Sequence, residues 1–326
     1  MTTKLRGNLM LFLTALIWGV SFVAQKAGME YIGPFTFNGI RFLVGSLVLI
    51  PVILILGGMQ KNKGASQNND GSLFTADGSA AEGKEPESAA VKYEKKNLIL
   101  GGLYCGIVLF IASSLQQIGI LYTTAGKAGF ITALYIVLVP ILGLIIGRKV
   151  RPILWVCVAI AAVGLYLLCV KEGFSIGKGD LLVIACALGY AIHILVIDHF
   201  SPKTDGVKMS CIQFFIAGVL SLPFMVIFET IDWSNIIACW MPILYSGVMS
   251  CGVAYTLQII GQKYTEPTVA SLILSLESVF AVIAGIILLS EQVSPRELLG
   301  CAVMFAAILL AQLPSKEERI PNTEKL

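Results

Sequence analysis

Residues 122–135 read YTTAGKAGFITALY and residues 264–277 read YTEPTVASLILSLE, two stretches that open on the same dipeptide and keep step to their ends. The likeness extends outward on both sides. Upstream, LYCGIV at 103–108 faces LYSGVM at 244–249, with Gln117 opposite Gln258. Downstream, Gly143 meets Gly285 and Pro152 meets Pro295. Nearer the N-terminus, residues 7–51 align without a gap with 179–223. That alignment pairs Gly7 with Gly179, Trp18 with Tyr190, Arg41 with Gln213, Phe42 with Phe214 and Pro51 with Pro223. The chain therefore reads as two related units, residues 1–172 and 173–326.

Composition says what solvent these units are built for. Of 326 residues, 56% are hydrophobic and 13% charged, whereas a soluble domain carries roughly 25% charged residues. Mean hydropathy is +0.84. The charges cluster between apolar runs of about 20 residues, the length that crosses the hydrocarbon core. Ten spans are expected, at 8–27, 35–57, 98–121, 126–146, 152–170, 180–200, 209–229, 239–262, 268–289 and 296–313. The fold class is all-α integral membrane, with five helices per unit.

The stretch 58–96 stands apart. It is rich in Gly, Ser, Ala, Asn and mixed charge, with Phe74 its only phenylalanine. Such text buries too little apolar surface to offset chain entropy, so it reads as a disordered cytoplasmic insertion. Lys4 and Arg6 before the first span resemble the start of a signal peptide, but no small-residue cleavage site follows. The first span also has a counterpart deep in the chain, so it reads as part of the mature protein.

Orientation follows from the basic residues. With the N-terminus inside, 17 of the 23 Lys and Arg fall on the cytoplasmic side; Lys26, Lys127, Lys171, Lys178 and Arg296 face out, and Arg41 lies within the second span. That bias is the positive-inside pattern, and ten spans return the C-terminus to the cytoplasm. The expected location is the inner (cytoplasmic) membrane. Because five is odd, the second unit enters the membrane from the opposite face. Inverted repeats of this kind place a substrate site near the midplane and support alternating access.

Polar groups at membrane depth are the candidates for that site, because a charge there costs about 2.5–3.5 kcal/mol even on lenient scales. Glu277 lies midway along the ninth span and Tyr135 is its partner by alignment. The carboxyl is a candidate proton carrier; satisfaction by neighbouring Ser or Tyr is the alternative. Arg41 can hold a substrate carboxylate bidentately or act structurally, as a gate. Trp18 and Tyr190 are candidates for an aromatic wall, with helix packing as the alternative. Gln116, Gln117, Gln258, Gln262 and Asn38 suit a wet cavity or interhelical hydrogen bonds. His193 has no partner at helical spacing for a metal site, and a hydrogen-bonded core histidine is the simpler reading. Lys127 reads as snorkelling to the outer interface, and Glu291 as an interfacial partner for Arg296. Gly102-x-x-x-Gly106 and Gly143-x-x-x-Gly147 suit close helix packing, and Pro140 a kink in the fourth span.

At this point the residues carry a resemblance. ALIWGVSFVAQK in the first span, NGIRFLVGSLVL in the second, LQQIGILYTTAGKAGFITALYIVLVPILG, and SLESVFAVIAGIILLSEQVSPRELLG near the end resemble the drug/metabolite transporter superfamily, in its EamA-like ten-helix branch. The resemblance covers the chain except 58–96. It implies secondary transport of a small metabolite, such as an amino acid, a nucleobase-like compound or an amphipathic drug, with protons as a candidate coupling ion.

Other classes fit less well. No G-x-x-x-x-G-K-[ST] loop exists to cradle ATP, and two histidines offer no catalytic cluster, so the chain does not read as an enzyme. The eight cysteines show no CxxC or Cys/His spacing. No cofactor, no metal and no nucleic-acid partner is indicated; the lipid bilayer and a small-molecule substrate are the expected partners. A channel or lipid scramblase is the remaining alternative, ahead of a membrane-embedded enzyme. Neither the oligomeric state nor the direction of transport can be read from the residues.

Overall fold

The computed structural model describes residues 3–67, 89–123, 125–169, 177–289 and 294–311, all helix and short connections with no strand among them. The helices are α1 (Thr3–Gly28), α2 (Pro34–Gln67), α3 (Ala89–Tyr122), α4 (Ala125–Ala133), α5 (Tyr135–Ile145), α6 (Pro152–Cys169) and α7 (Lys178–Phe200). They continue with α8 (Gly206–Phe228), the short α9 (Trp233–Ala238) and α10 (Trp240–Leu244), and a π-helical stretch, Tyr245–Tyr255. The chain ends in α11 (Thr256–Gln262), α12 (Pro267–Leu274), α13 (Glu277–Leu289) and α14 (Pro295–Ala311). Among the described residues, eight spans are long and apolar enough to cross a membrane. The shorter α6 and α14 pack against each other. Large apolar side chains cover the outside, as with Leu54, Ile227 and Ile287, which suits a helix surface facing lipid.

Helix starts follow local chemistry. Pro152, Pro267 and Pro295 are each a first helical residue, where the missing N–H leaves no bond unmade. Asp205 caps α8 by accepting hydrogen bonds from the amides of Val207 (2.9 Å) and Lys208 (3.1 Å), the usual N-cap arrangement. The polar stretch 58–96 is entered by helix from both sides, α2 running to Gln67 and α3 starting at Ala89. Residues 68–88 lie outside the described residues, as do Glu291 and the side chain of Lys127.

The units interlock. In α7, Gly179 abuts Gly119, Gly189 abuts Ala112, and Phe200 abuts Gly101, so α7 runs antiparallel to α3. In α1, Gly7 abuts Gly261, Thr14 donates to the Ala254 carbonyl at 3.0 Å, and Tyr245 donates to the Ile17 carbonyl at 3.1 Å. Helix α1 therefore runs antiparallel to Tyr245–Gln262 in the same manner. The ends match too: Thr265 donates to Asn8 Oδ1 (3.0 Å) and Thr123 to Asp180 Oδ1 (2.8 Å). Gly102 and Gly106 let α3 approach Ile212 and Ile216 of α8, as the sequence suggests. Gly143 and Gly147 do not pack in that way. Gly147 has φ +80°, its amide donates to Leu144 O, and that of Arg148 donates to Gly143 O, each at 2.9 Å. This is a left-handed helix terminator that needs glycine.

Two findings differ from the sequence expectation. The spans 126–146 and 268–289 are each split. Helix α4 stops before Leu134 and α12 before Ser275, with i→i−3 bonds from Leu134 to Ile131 (3.1 Å) and from Leu276 to Ile273 (3.2 Å). Pro140 sits inside α5 beyond the first break, so the chain interruption is at Leu134 rather than at the proline. In α12, Ser271 and Ser275 donate to the carbonyls of Thr268 (2.9 Å) and Leu272 (2.8 Å), back-bonding of the type that bends helices. The second finding concerns register. The offset between aligned residues is 141 where the π-helical stretch begins and 142 from Tyr122/Tyr264 to Gly143/Gly285, as a π-turn housing one extra residue requires. Gln258 is therefore matched by Gln116, not by Gln117.

Candidate functional site

Each helix break delivers one side chain to the centre of the molecule. Tyr135 is the first residue of α5 and Glu277 the first of α13. Both are buried, and the Tyr135 hydroxyl donates to Glu277 Oε1 at 3.0 Å. A broken helix is what allows this: the interruption turns the backbone so that the residue after it projects inward.

Around this bond lies a small cavity. Its walls come from both units: Trp18, Phe22 and Gln25 of α1, Arg41 of α2, Gln116 of α3, and Thr132 on α4. Tyr190 and His193 of α7, then Ser250, Tyr255 and Gln258, face them. Of the residues singled out by sequence, Glu277, Tyr135, Arg41, Trp18, Tyr190, Gln258 and His193 are brought together here. Gln117 is not among them. It is fully buried, and its amide nitrogen lies 3.5 Å from the Met29 sulfur. Gln262 donates to the Ile194 carbonyl at 3.0 Å, and Asn38 is buried away from the cavity.

The partnerships inside the cavity are uneven. Tyr190 donates to Gln116 Oε1 at 3.1 Å. The matched pair is Trp18 and Gln258, yet Trp18 Nε1 and Gln258 Oε1 are both buried without a hydrogen-bond partner among the described residues. Trp18 instead leans on Tyr255, ring centroids 4.5 Å apart. His193 Nε2 and Gln213 Oε1 are hydrogen-bonded at 3.1 Å, on the cavity wall.

Arg41 is 3% exposed. Its guanidinium carbon lies 4.9 Å from the Phe42 ring centroid and 5.5 Å from that of Phe37. No carboxylate pairs with it among the described residues, and its Nε has no partner. A buried cation without a counter-ion is costly; facing a cavity, it is a ready ligand for an anionic group. The cavity thus offers a cation at Arg41, a carboxyl at Glu277 and aromatic faces between them.

Sequence reasoning missed Tyr255, Gln25 and Thr132. Signals existed for the first two: Gln25 is seven residues after Trp18 and Tyr255 three before Gln258, spacings that put each on its neighbour's helix face. Thr132 had none.

Comparison with known proteins agrees with this architecture. The EamA-like transporter family model matches residues 5–170 and 177–313. An uncharacterized transporter of Archaeoglobus fulgidus is 31% identical over 314 residues, covering 95% of this chain and 87% of that protein. The uncharacterized transporter YoaV of Bacillus subtilis is 23% identical over 303 residues, covering 90% of this chain and 92% of that protein. A solved crystal structure shares the fold with a TM-score of 0.71 at 16% identity, over 94% of this chain and 96% of that one.

Proposed function

The chain belongs to the EamA-like transporter family, and on that premise we propose that it is a secondary active transporter working by alternating access. It moves a small metabolite, an amino acid, a nucleobase-like or an amphipathic compound, across the cytoplasmic membrane. The ten spans form two inverted five-helix repeats, 1–172 and 173–326, with both termini cytoplasmic. Arg41 holds an anionic group of the substrate, the aromatic side chains of Trp18, Tyr190 and Tyr255 hold its body, and Glu277 carries a coupling proton. The observation that carries this reading is the Tyr135–Glu277 hydrogen bond. It joins two helix breaks at aligned positions, in a cavity that both units line.

Several facts support the inverted pairing. One family model covers the two units separately. The contacts of α1 with Tyr245–Gln262 repeat those of α7 with α3, and Asn8–Thr265 repeats Asp180–Thr123. Broken helices meeting near the midplane are a recurrent way to build a substrate and ion site between inverted repeats.

The test has two stages. Purified protein is screened for ligand-induced thermal stabilisation against amino acids, nucleobases and amphipathic amines, and hits are tested for counterflow in proteoliposomes across a range of pH. Saturable counterflow that depends on pH is expected, and Glu277→Gln should flatten that dependence while the protein stays folded. Unchanged pH dependence in Glu277→Gln would remove the proton role; the absence of saturable counterflow for any ligand that stabilises the protein would remove the transport reading.

A further inference from the structure

A second concave surface lies on the outside of the molecule, between α5 and α7, and it owes nothing to the central cavity. Ile145, Ile146, Ile192, Val196 and Phe200 contribute to an open apolar groove. Two polar residues, Arg148 and His199, complete its end nearest the C-terminus of α7. Ile145 and Ile146 are 74% and 58% exposed, so the groove is open to lipid.

The polar end is built. The left-handed turn at Gly147 ends α5 and directs the next residue back over the groove, where Arg148 forms an ion pair with Asp198 of α7. One turn beyond His199, Lys203 reaches back along the helix, its Nζ 3.0 Å from His199 Nε2. The ammonium donates to the ring and keeps two N–H groups for another acceptor. Asp198 is occupied by Arg148, and no lining residue is acidic. The rim is therefore net positive and rich in donors, above an apolar trough.

We propose that this groove binds one anionic phospholipid, its acyl chain along α5 and α7 and its headgroup phosphate on Lys203, His199 and Arg148. A basic rim at the end of an intramembrane trough is the arrangement that recognises anionic headgroups. A zwitterionic headgroup would bring an ammonium to a rim with no free carboxylate to receive it. In the orientation proposed above, the headgroup lies in the cytoplasmic leaflet.

The test uses the full-length protein in mixed micelles carrying palmitoyl-oleoyl phosphatidylglycerol or the corresponding phosphatidylcholine, with bound lipid counted by native mass spectrometry. The wild type should retain phosphatidylglycerol over phosphatidylcholine by on the order of tenfold. The double variant His199→Gln with Lys203→Gln should fall to near parity, and Lys203→Gln alone should lie between. Lys208→Gln, an exposed change at the start of α8 outside the groove, should match the wild type. Equal retention of the two lipids by the wild type, or undiminished selectivity in the double variant, would overturn the assignment. Displacement of phosphatidylglycerol by glycerol 3-phosphate would also overturn it, replacing a lipid site with one for a free anion.

Discussion

The break before Tyr135 and the break before Glu277 occupy matched places in the two units, and the backbone does nearly the same thing at each. The side chains delivered there differ: a phenol in one unit, a carboxyl in the other. The same contrast recurs at other aligned positions, where Arg41 is matched by Gln213, Trp18 by Tyr190 and Asn8 by Asp180. At these aligned positions the backbone is alike and the side chains differ. A site built in this way acquires one cation, one carboxyl and one open donor–acceptor pair, Trp18 and Gln258, in place of two copies of each.

Substitutions can break this comparison at several points. The largest effect is expected at Arg41, the cation without a matched twin. A hydrogen bond to a charged group is worth about 1.5–3 kcal/mol, so Arg41→Gln should weaken substrate affinity roughly 10- to 150-fold with the fold retained. Titration of the stabilising ligand by thermal shift reads this directly; unchanged affinity would leave Arg41 a structural or gating residue.

Next come the matched glycines. A Cβ on Gly7 would lie 2.9 Å from the Gly261 carbonyl oxygen, and one on Gly179 would lie 2.8 Å from that of Gly119. Gly7→Val and Gly179→Val should each destabilise by about 1–3 kcal/mol, and by similar amounts. Thermal unfolding in detergent measures both; a cost confined to one unit would undo their equivalence.

Tyr135→Phe removes one hydrogen bond from the centre, about 1 kcal/mol. Transport should slow by a factor of about five and stay pH-dependent, in contrast to Glu277→Gln. Complete loss of transport in Tyr135→Phe would mean that the two break residues share one role instead of dividing it.

The smallest effect separates Thr123, which donates to a carboxylate, from Thr265, which donates to an amide. Thr123→Val should cost about 1 kcal/mol more than Thr265→Val in the same unfolding assay. Equal costs would show that the charge of Asp180 adds nothing at that junction.

Much of this was legible in the residues, and the reasons are specific. Pro152 and Pro295 start helices because a proline fits there, so the alignment between them carried structural meaning. Glu277 stood out because a carboxyl in an apolar run demands an explanation. The helix breaks were not legible: neither FITALY at 130–135 nor Ser275–Leu276 contains a glycine or proline at the interruption. At the second break Ser271 and Ser275 bond back to their own helix; at the first, no such bond accompanies the interruption among the described residues. Gln117 was chosen over Gln116 because one extra residue in Tyr245–Tyr255 is invisible in a gapless comparison, though it rotates everything after it by about a third of a turn. Arg148 and Lys203 were seen only as topology markers, since nothing local to either shows that α5 and α7 bring them to one groove.

The central claim is that the cavity between the units faces each side of the membrane in turn. Gln116, on the cavity wall, is changed to cysteine and treated with a membrane-impermeant maleimide in right-side-out and in inside-out vesicles. The wild-type protein serves as the background, since its described cysteines are buried or half-buried. Alternating access predicts labelling of Gln116→Cys from both faces, slowed from both by a stabilising ligand. Labelling from one face alone under every condition would contradict it.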